Sequence, residues 1–209
     1  RGRCRSLPQV TVGIGDDAAV IELASGTPNG QLIACTDQII DGVDFVSAEH
    51  SLTDVGYKSM AINLSDLAAM GAVPTSALVT LALPKQNATR IAGDVYEGIL
   101  EAAASFNIAI AGGDISTYDG PLSISITLLG HVPSGKPWLR SGAIEGDAVL
   151  VSGAVGGSIL GRHLRPSPRI HFATELRRFA DVHAAIDISD GLSLDLDRLC
   201  AASGVGVEL

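Results

Sequence analysis

Seven aspartates of this chain stand where an apolar stretch ends, and most of them adjoin glycine, serine or threonine. They are Asp16, Asp17, Asp37, Asp66, Asp114, Asp187 and Asp190. Taken singly, each is explained by a turn or a helix cap, because aspartate commonly serves both. Taken together, carboxylates that converge in one cleft repel each other unless a cation neutralises them. Magnesium suits carboxylate oxygens and in turn holds phosphate oxygens, so the set predicts a metal site for a phosphorylated ligand.

Asp66 is the member of this set that a turn or cap explains least well. It lies near the end of a predicted helix over residues 53–70, where the helix dipole disfavours negative charge by about 0.3–1 kcal/mol. Asn63 and Ser59 precede it at helical spacing, so the three residues form one polar stripe among apolar neighbours. Two interpretations stay open from spacing alone: the stripe faces solvent, or it faces a cation.

Glycines and basic residues supply further candidates for a phosphate site. The stretches "AGGD" at 111–114 and "DISDGL" at 187–192 follow predicted strands, where free backbone N–H groups attract anions. Lys58 and Arg140 are the basic residues best placed to meet a phosphate, although either is equally explained as a solvated surface charge. "GIG" at 13–15 lacks the third glycine of a dinucleotide fingerprint, and the sequence contains no Walker A motif or kinase catalytic-loop signature.

Composition narrows the class of protein. The 209 residues are 46% hydrophobic, enough for a packed core, and the formal net charge is −9. This charge argues against nucleic-acid and anionic-membrane partners, which require clustered Lys and Arg. The three cysteines are far apart and no CxxC occurs, which indicates reduced thiols. With no apolar run of about 18 residues and no signal-peptide pattern, we expect a cytoplasmic protein.

The hydrophobic pattern predicts an α/β protein with mixed sheets and two domains. Apolar strands alternate with helices up to a stretch rich in glycine, proline and charge, "PSGKPWLRSGAIEGD". We therefore expect a first domain over 1–140 and a second over 141–209. The second has predicted strands at "AVLVSG" and "AAIDIS" and ends on "GVGVEL", a strand that lacks a partner, so we expect it to be incomplete.

The order of several motifs resembles the thiamine-monophosphate kinase family. The motifs are "GIGDDAAV", "TDQIIDGVDF", "GYKSMAINLSDLAAMGAVP", "AGGD", "RSGAIEGD", "HLRPSPRI" and "AIDISDGLSLDL". The family belongs to the superfamily of aminoimidazole-ribonucleotide synthetase and selenophosphate synthetase. The resemblance implies direct transfer of the γ-phosphate of ATP to thiamine monophosphate, with several Mg²⁺ ions and no phosphoenzyme. Because the acceptor phosphate is already ionised at pH 7, we expect in-line attack and assign no general base. It also implies a homodimer in which the N-terminal domains share a barrel-like sheet.

The resemblance assigns roles to individual positions. The implied metal ligands are Asp17, Cys35, Thr36, Asp37, Asp66, Asp114, Asp187 and Asp190. The implied ATP contacts are Gly113, Asp114, Arg140 and Ser189, and the implied substrate contact is Asp44. With Asp17 a metal ligand, we expect its neighbour Asp16 to hold the turn through backbone N–H groups.

Two departures from the family pattern leave alternatives open. Asp44 stands where the family commonly has histidine, and Cys35 replaces a serine with a softer ligand that suits Mg²⁺ less well. One alternative is another ATP-dependent enzyme of the superfamily, of the hydrogenase-maturation or selenophosphate-synthetase type. The other is a non-catalytic protein that binds nucleotide or thiamine phosphate.

Overall fold

A computed structural model describes residues 10–13, 15–22 and 31–208, and it forms a mixed sheet with helices against one face. The strands are β1 Val10–Val12, β2 Ala19–Glu22, β3 Gln31–Ile40, β4 Val73–Pro84, β5 Ala109–Tyr118 and β6 Ser123–His131. The helices are α1 Leu52–Ala69, α2 Ala88–Ser105, α3 Ile170–Phe179 and α4 Leu192–Ser203. Among the described residues, no helix combines the length and the hydropathy that a membrane span requires.

The sheet has the strand order β1-β2-β3-β6-β4-β5. Neighbouring strands are antiparallel, except that β4 and β5 are parallel and are connected through α2. Side chains alternate between its two faces. One face packs against α1 and α2 and holds the core, including the fully buried Ile33, Val79 and Ile126. We call the other the open face; among its residues are the exposed Thr36 and Leu78.

β5 forms one edge of the sheet and is exposed along almost its whole length. A bulge interrupts its pairing with β4: Ala77 pairs with Ile110, but the next residue, Leu78, pairs with Gly112. Ala111 is therefore the extra residue. The stretch "IAIAGGDIST" predicts a short buried strand that ends at the glycine pair. This prediction is wrong in both respects, because β5 continues through the pair and lies at an edge.

α1 and α2 lie unusually close because glycine stands at both points of contact. A Cβ atom on Gly56 would fall 2.0 Å from the carbonyl oxygen of Val95, and one on Gly98 would fall 1.8 Å from that of Thr53. Each helix therefore presents a glycine to the backbone of the other. This packing fixes the position of α1, the helix that carries Asp66.

The part of the chain after residue 140 is anchored to the sheet and helices through α3. Arg177 donates hydrogen bonds to the carbonyl oxygens of Met70, Gly71, Ser134 and Lys136, and its guanidinium stacks on Trp138. The strands predicted at "AVLVSG" and "AAIDIS" do not form among the described residues. A strand needs a paired neighbour, and the described residues give these two segments none.

Most other elements confirm the sequence prediction. The sequence predicts a strand at "QLIACTDQII" and a helix at "LSLDLDRLCAAS", and β3 and α4 have these bounds. The predicted break at Thr36 and Asp37 is absent, because β3 runs through both residues. Thr53 and Gly71 are the predicted N-cap and stop of α1; the helix begins after Ser51 instead, and Gly71 has the positive φ of 62° expected directly after the C-cap Met70.

Candidate metal and nucleotide site

Three aspartates that are far apart in sequence meet at one point of the fold. Asp17 comes from the turn between β1 and β2, Asp66 from the end of α1, and Asp187 from the segment before α4. One carboxylate oxygen of each lies within 4.8 Å of the others. We call these three residues the acidic cluster. Oxygen donors at this spacing form a donor set that suits a hard divalent cation.

Burial and mutual repulsion hold protons on this cluster. Desolvation, followed by the charges of Asp37, Asp187 and Asp17, raises the pKa of Asp66 to about 8. Desolvation and the charge of Asp17 raise the pKa of Asp187 to about 7. Desolvation also raises the pKa of Asp37, which lies beside the cluster on the helix-covered face of β3. At neutral pH these carboxyls therefore keep protons, because too little positive charge surrounds them to stabilise the ionised forms.

Arg140 supplies part of that charge. Its guanidinium meets both carboxylate oxygens of Asp17, with Nη2 3.0 Å from Oδ1 and Nε 3.2 Å from Oδ2. The Asp17 side chain is only 1% exposed. Asp16 accepts the backbone N–H groups of Asp17 and Arg140, which confirms that it braces the turn. The two adjacent aspartates thus have different partners.

The polar stripe of α1 points inward. Ser59 and Asn63 are 2% and 0% exposed, so the interpretation that the stripe faces solvent is wrong. The side chains are satisfied within the protein: the Ser59 hydroxyl donates to Gly56 and the Asn63 amide donates to Ser59. The stripe ends at Asp66, in the acidic cluster.

Cys35 and Thr36 point to opposite faces of β3. The buried Cys35 thiol donates to the backbone and side-chain oxygens of Asn63, and burial raises its pKa, so it stays a neutral thiol. The Thr36 hydroxyl lies on the open face and donates to the carbonyl oxygen of Ile126. The structure therefore does not bring Thr36 to the acidic cluster, because the sheet lies between them, and metal binding by either residue stays a prediction.

Asp114 also lies on the open face. It pairs with Thr80, whose neighbours Val79 and Leu81 point into the core. The expectation that Asp114 converges with Asp66 in one cleft is thus wrong for a single chain. Gly113 lies beside it against β4, where a Cβ atom would fall 1.7 Å from the Val79 carbonyl oxygen. Both residues line a shallow cavity of about 380 Å³ at this edge, together with Tyr96, Ile110, Ala111, Gly112 and Ile115.

Asp44, the implied substrate contact, is turned into its own loop. Its Oδ2 accepts the backbone N–H of Ile40 at 2.8 Å, and its carbonyl oxygen accepts the Lys58 ammonium at 3.0 Å. Lys58 also lies 3.5 Å from Nε2 of His163. The structure therefore places Lys58 beside Asp44 and not in the acidic cluster, and substrate contact by Asp44 stays a prediction.

The segment before α4 differs from the expected anion site. The backbone N–H groups of Ser189, Asp190 and Gly191 all donate to one oxygen of Asp195, so they are not free to bind a phosphate. Gly191, not Asp190, is the N-cap of α4, and the carboxylate of Asp190 meets Arg198. Sequence reasoning missed Asp195, for which the available signal is an acidic residue in the first turn of a predicted helix.

Comparison with known proteins gives this geometry a family. Residues 15–132 match the N-terminal domain of AIR synthase related proteins. The chain is 67% identical to the thiamine-monophosphate kinase of Rhodopirellula baltica over 213 residues, covering 100% of this chain and 67% of that protein. The chain belongs to the thiamine-monophosphate kinase family. This identity confirms the expected family, as opposed to another branch of the superfamily. Members of the family are phosphotransferases.

Solved structures agree with this assignment. The thiamine monophosphate kinase of Aquifex aeolicus superposes with a TM-score of 0.79 at 30% identity, over 92% of this chain and 68% of that one. AaThiL complexed with AMPPCP and TMP gives a TM-score of 0.79 at 31% identity, over 91% of this chain and 65% of that one. The chain thus spans about two thirds of the length of the relatives it matches.

Proposed function

We propose that this protein transfers the γ-phosphate of ATP to thiamine monophosphate, giving thiamine diphosphate and ADP. The observation that carries the proposal is the acidic cluster of Asp17, Asp66 and Asp187 in a chain of the thiamine-monophosphate kinase family. The complex of AaThiL with AMPPCP and TMP supports both ligands. ATP and thiamine monophosphate are accordingly the co-substrates we assign.

Asp17, Asp66 and Asp187 would hold Mg²⁺, with Asp37 beside them. Their oxygen donors fit a hard cation, and the raised pKa values of Asp66 and Asp187 mark a site that lacks positive charge. When bound, Mg²⁺ neutralises phosphate oxygens and aligns them for transfer. The predicted ligand roles of Cys35, Thr36, Asp114 and Asp190 stay part of the proposal, with Cys35 the least suited chemically.

The residues of the chain contribute positioning and charge rather than proton transfer. An acceptor phosphate that is already ionised at pH 7 needs no general base, and phosphoryl transfer depends mainly on alignment and electrostatic stabilisation. The Ser65 hydroxyl donates to Asp187 at 3.0 Å and so orients this carboxylate. We assign to Arg140, which pairs with Asp17, a contact with a nucleotide phosphate at the edge of the cluster. Ser189 is the second nucleotide contact we assign.

We propose further that the protein is a homodimer and that Asp114 and Gly113 serve the partner's site. Both lie on an exposed edge strand, and an unpaired edge of this length calls for a covering partner. Asp114 faces away from the acidic cluster of its own chain. A symmetric pair of chains would offer each cluster an Asp114 from the other copy.

The test is an assay of the full-length protein with ATP, Mg²⁺ and thiamine monophosphate. We expect ADP and thiamine diphosphate in equal amounts from the wild type, and a loss of turnover of at least about 100-fold in Asp66→Asn, because charge stabilisation is the main catalytic contribution. Asp181→Asn is the matched control, because this aspartate is 95% exposed. Intact turnover in both Asp37→Ala and Asp114→Ala would overturn the assigned site, and ligand binding without turnover would favour a non-catalytic binding protein.

A further inference from the structure

Asp195 and Asp17 are the most deeply buried acidic residues of the described chain, and Asp195 has no role in the proposed function so far. It lies in the first turn of α4 and is 1% exposed. Its Oδ2 accepts three consecutive backbone N–H groups, from Ser189 at 2.9 Å, Asp190 at 2.9 Å and Gly191 at 3.1 Å. One carboxylate oxygen thus holds the whole turn that leads into the helix.

The second oxygen of Asp195 organises the charges around this turn. Oδ1 accepts Nη1 of Arg198 at 2.8 Å, and the same nitrogen lies 2.6 Å from Oδ2 of Asp190. The positive charge of Arg198 therefore pairs with both carboxylates and holds the Asp190 side chain against α4. Asp187 is held differently, because its carboxylate accepts the Ser65 hydroxyl and points into the acidic cluster.

The turn itself depends on these contacts. Gly191 has a φ of 113°, a conformation that L side chains rarely adopt, and the chain bends at Ser189 and Asp190, between Asp187 and α4. Asp187 stands two residues before the first N–H group that Asp195 accepts. The three N–H groups share one acceptor oxygen, so together they fix the backbone that follows Asp187.

We infer that Asp195 is a positioning residue, which fixes the turn over residues 187–191 so that Asp187 projects into the acidic cluster while Asp190 is held by Arg198. This inference rests on the proposed function, since it concerns the same cation site. Asp195 lies outside the acidic cluster and its oxygens accept the three N–H groups and Arg198, so we assign it no contact with cation or substrate.

The test measures Mn²⁺ binding to the full-length protein by electron paramagnetic resonance, together with amide hydrogen exchange over residues 187–191. Asp195→Ala removes the acceptor, so we expect faster exchange at Ser189, Asp190 and Gly191 and Mn²⁺ binding weaker by about 10-fold or more, in keeping with loss of an orienting partner. Asp195→Asn keeps a carbonyl oxygen and should retain most of both. Asp197→Ala, an exposed acid on the same helix, is the matched control and should change neither.

Several outcomes overturn the inference. Faster exchange with unchanged Mn²⁺ affinity would show that the turn does not position Asp187, and unchanged exchange in Asp195→Ala would show that Asp195 does not hold the turn. If Asp195→Ala fails to fold, Asp195→Asn is judged by the same rule, that protection and Mn²⁺ affinity change together. A wild type that binds Mn²⁺ but transfers no phosphate would refute the proposed function and leave this inference intact.

Discussion

At the residue scale, the fold gives neighbouring side chains separate tasks. Asp16 and Asp17 are adjacent, yet Asp16 accepts backbone N–H groups whereas Asp17 meets a guanidinium in the acidic cluster. Cys35, Thr36 and Asp37 follow each other in β3, and only the first and third face the helices. Residue type therefore identifies the candidate ligands, and backbone direction decides which of them can act together.

The pair of Arg140 and Asp17 leads to the first prediction. Arg140→Met leaves a buried carboxylate without its partner, which should lower the free energy of unfolding by about 3 kcal/mol. Added Mg²⁺ should restore more of this stability in the variant than in the wild type, because the ion takes over the charge balance. Urea unfolding with and without Mg²⁺ measures both effects.

Arg90→Met is the control for this prediction, because Arg90 and Asp94 form an exposed pair on α2. An exposed pair contributes about 0–1 kcal/mol, so this variant should unfold like the wild type. Equal Mg²⁺ effects in Arg140→Met and the wild type would contradict the view that the guanidinium and the ion balance the same carboxylate.

The second prediction concerns pH. Asp66 and Asp187 titrate near 8 and 7 in the folded protein, well above the ordinary value of 3.8. Between about pH 4 and 8 the unfolded chain releases protons that the folded chain keeps, so the free energy of unfolding falls as pH rises. The stabilisation from these two groups is complete below about pH 4 and absent above about pH 8.

Urea midpoints measured with a chelator at about pH 5 and about pH 8.5 check this slope. Asp66→Asn should flatten it and should be more stable than the wild type at the higher pH, since the buried charge is gone. Asp181→Asn, at an exposed position, should keep the wild-type slope. A wild type equally stable at both values of pH would show that these carboxyls ionise normally.

At the element scale, the reciprocal glycine contact between α1 and α2 decides where Asp66 can lie. Gly98→Ala pushes a methyl group against the Thr53 carbonyl, so we expect a loss of at least about 1–3 kcal/mol of stability. At Gly93, on the same helix, a methyl group would meet no atom within 4 Å beyond the neighbouring residues and backbone of α2 itself, so Gly93→Ala should stabilise by about 0.5–1 kcal/mol. Thermal unfolding of the two variants gives opposite signs, and a shared sign would refute the close contact.

The elements also show how far the sequence can be used for prediction. The periodicity of β3 and α4 indicated their bounds because each has a regular apolar pattern that one face of the fold buries. Ile108 and Ile110 point to the core, on the face of the sheet that the helices cover. If side chains alternated strictly along β5, Asp114 would lie on that face too. The bulge at Ala111 reverses this, and a bulge arises from pairing with β4, which the local sequence does not encode.

Part of the candidate site was equally beyond sequence reasoning. The acidic set was recognisable from apolar stretches that end in aspartate, and three of its members do meet. From the sequence alone, the backbone N–H groups before α4 are expected to be free. In the fold they donate to Asp195, because the first turn of α4 brings this side chain next to the segment that precedes the helix. The two strands expected after residue 140 failed for a similar reason, because strand formation depends on partners elsewhere in the chain.

At the scale of the whole molecule, the shared-site proposal makes a quantitative prediction. Asp66→Asn and Asp114→Asn should each be inactive alone, and an equal mixture refolded together should recover about a quarter of the wild-type activity. The reason is that half of the dimers would be mixed, and each of these would carry one intact site. Light scattering on each variant checks that both still assemble.

No recovery in the mixture, from variants that do form dimers, would place Asp66 and Asp114 in the same chain's site. The control is a mixture of Asp66→Asn with Asp187→Asn. These two residues belong to one cluster in one chain, so that mixture should recover nothing.

The single extra residue in β5 therefore bears on how the protein behaves as it is diluted. If Asp114 acts only across a pair of chains, the catalytic rate per chain depends on the protein concentration. It falls on dilution, once the dimers dissociate. The dissociation constant of the pair would then set the concentration below which activity is lost, and the extra residue Ala111 matters because it turns Asp114 to the open face.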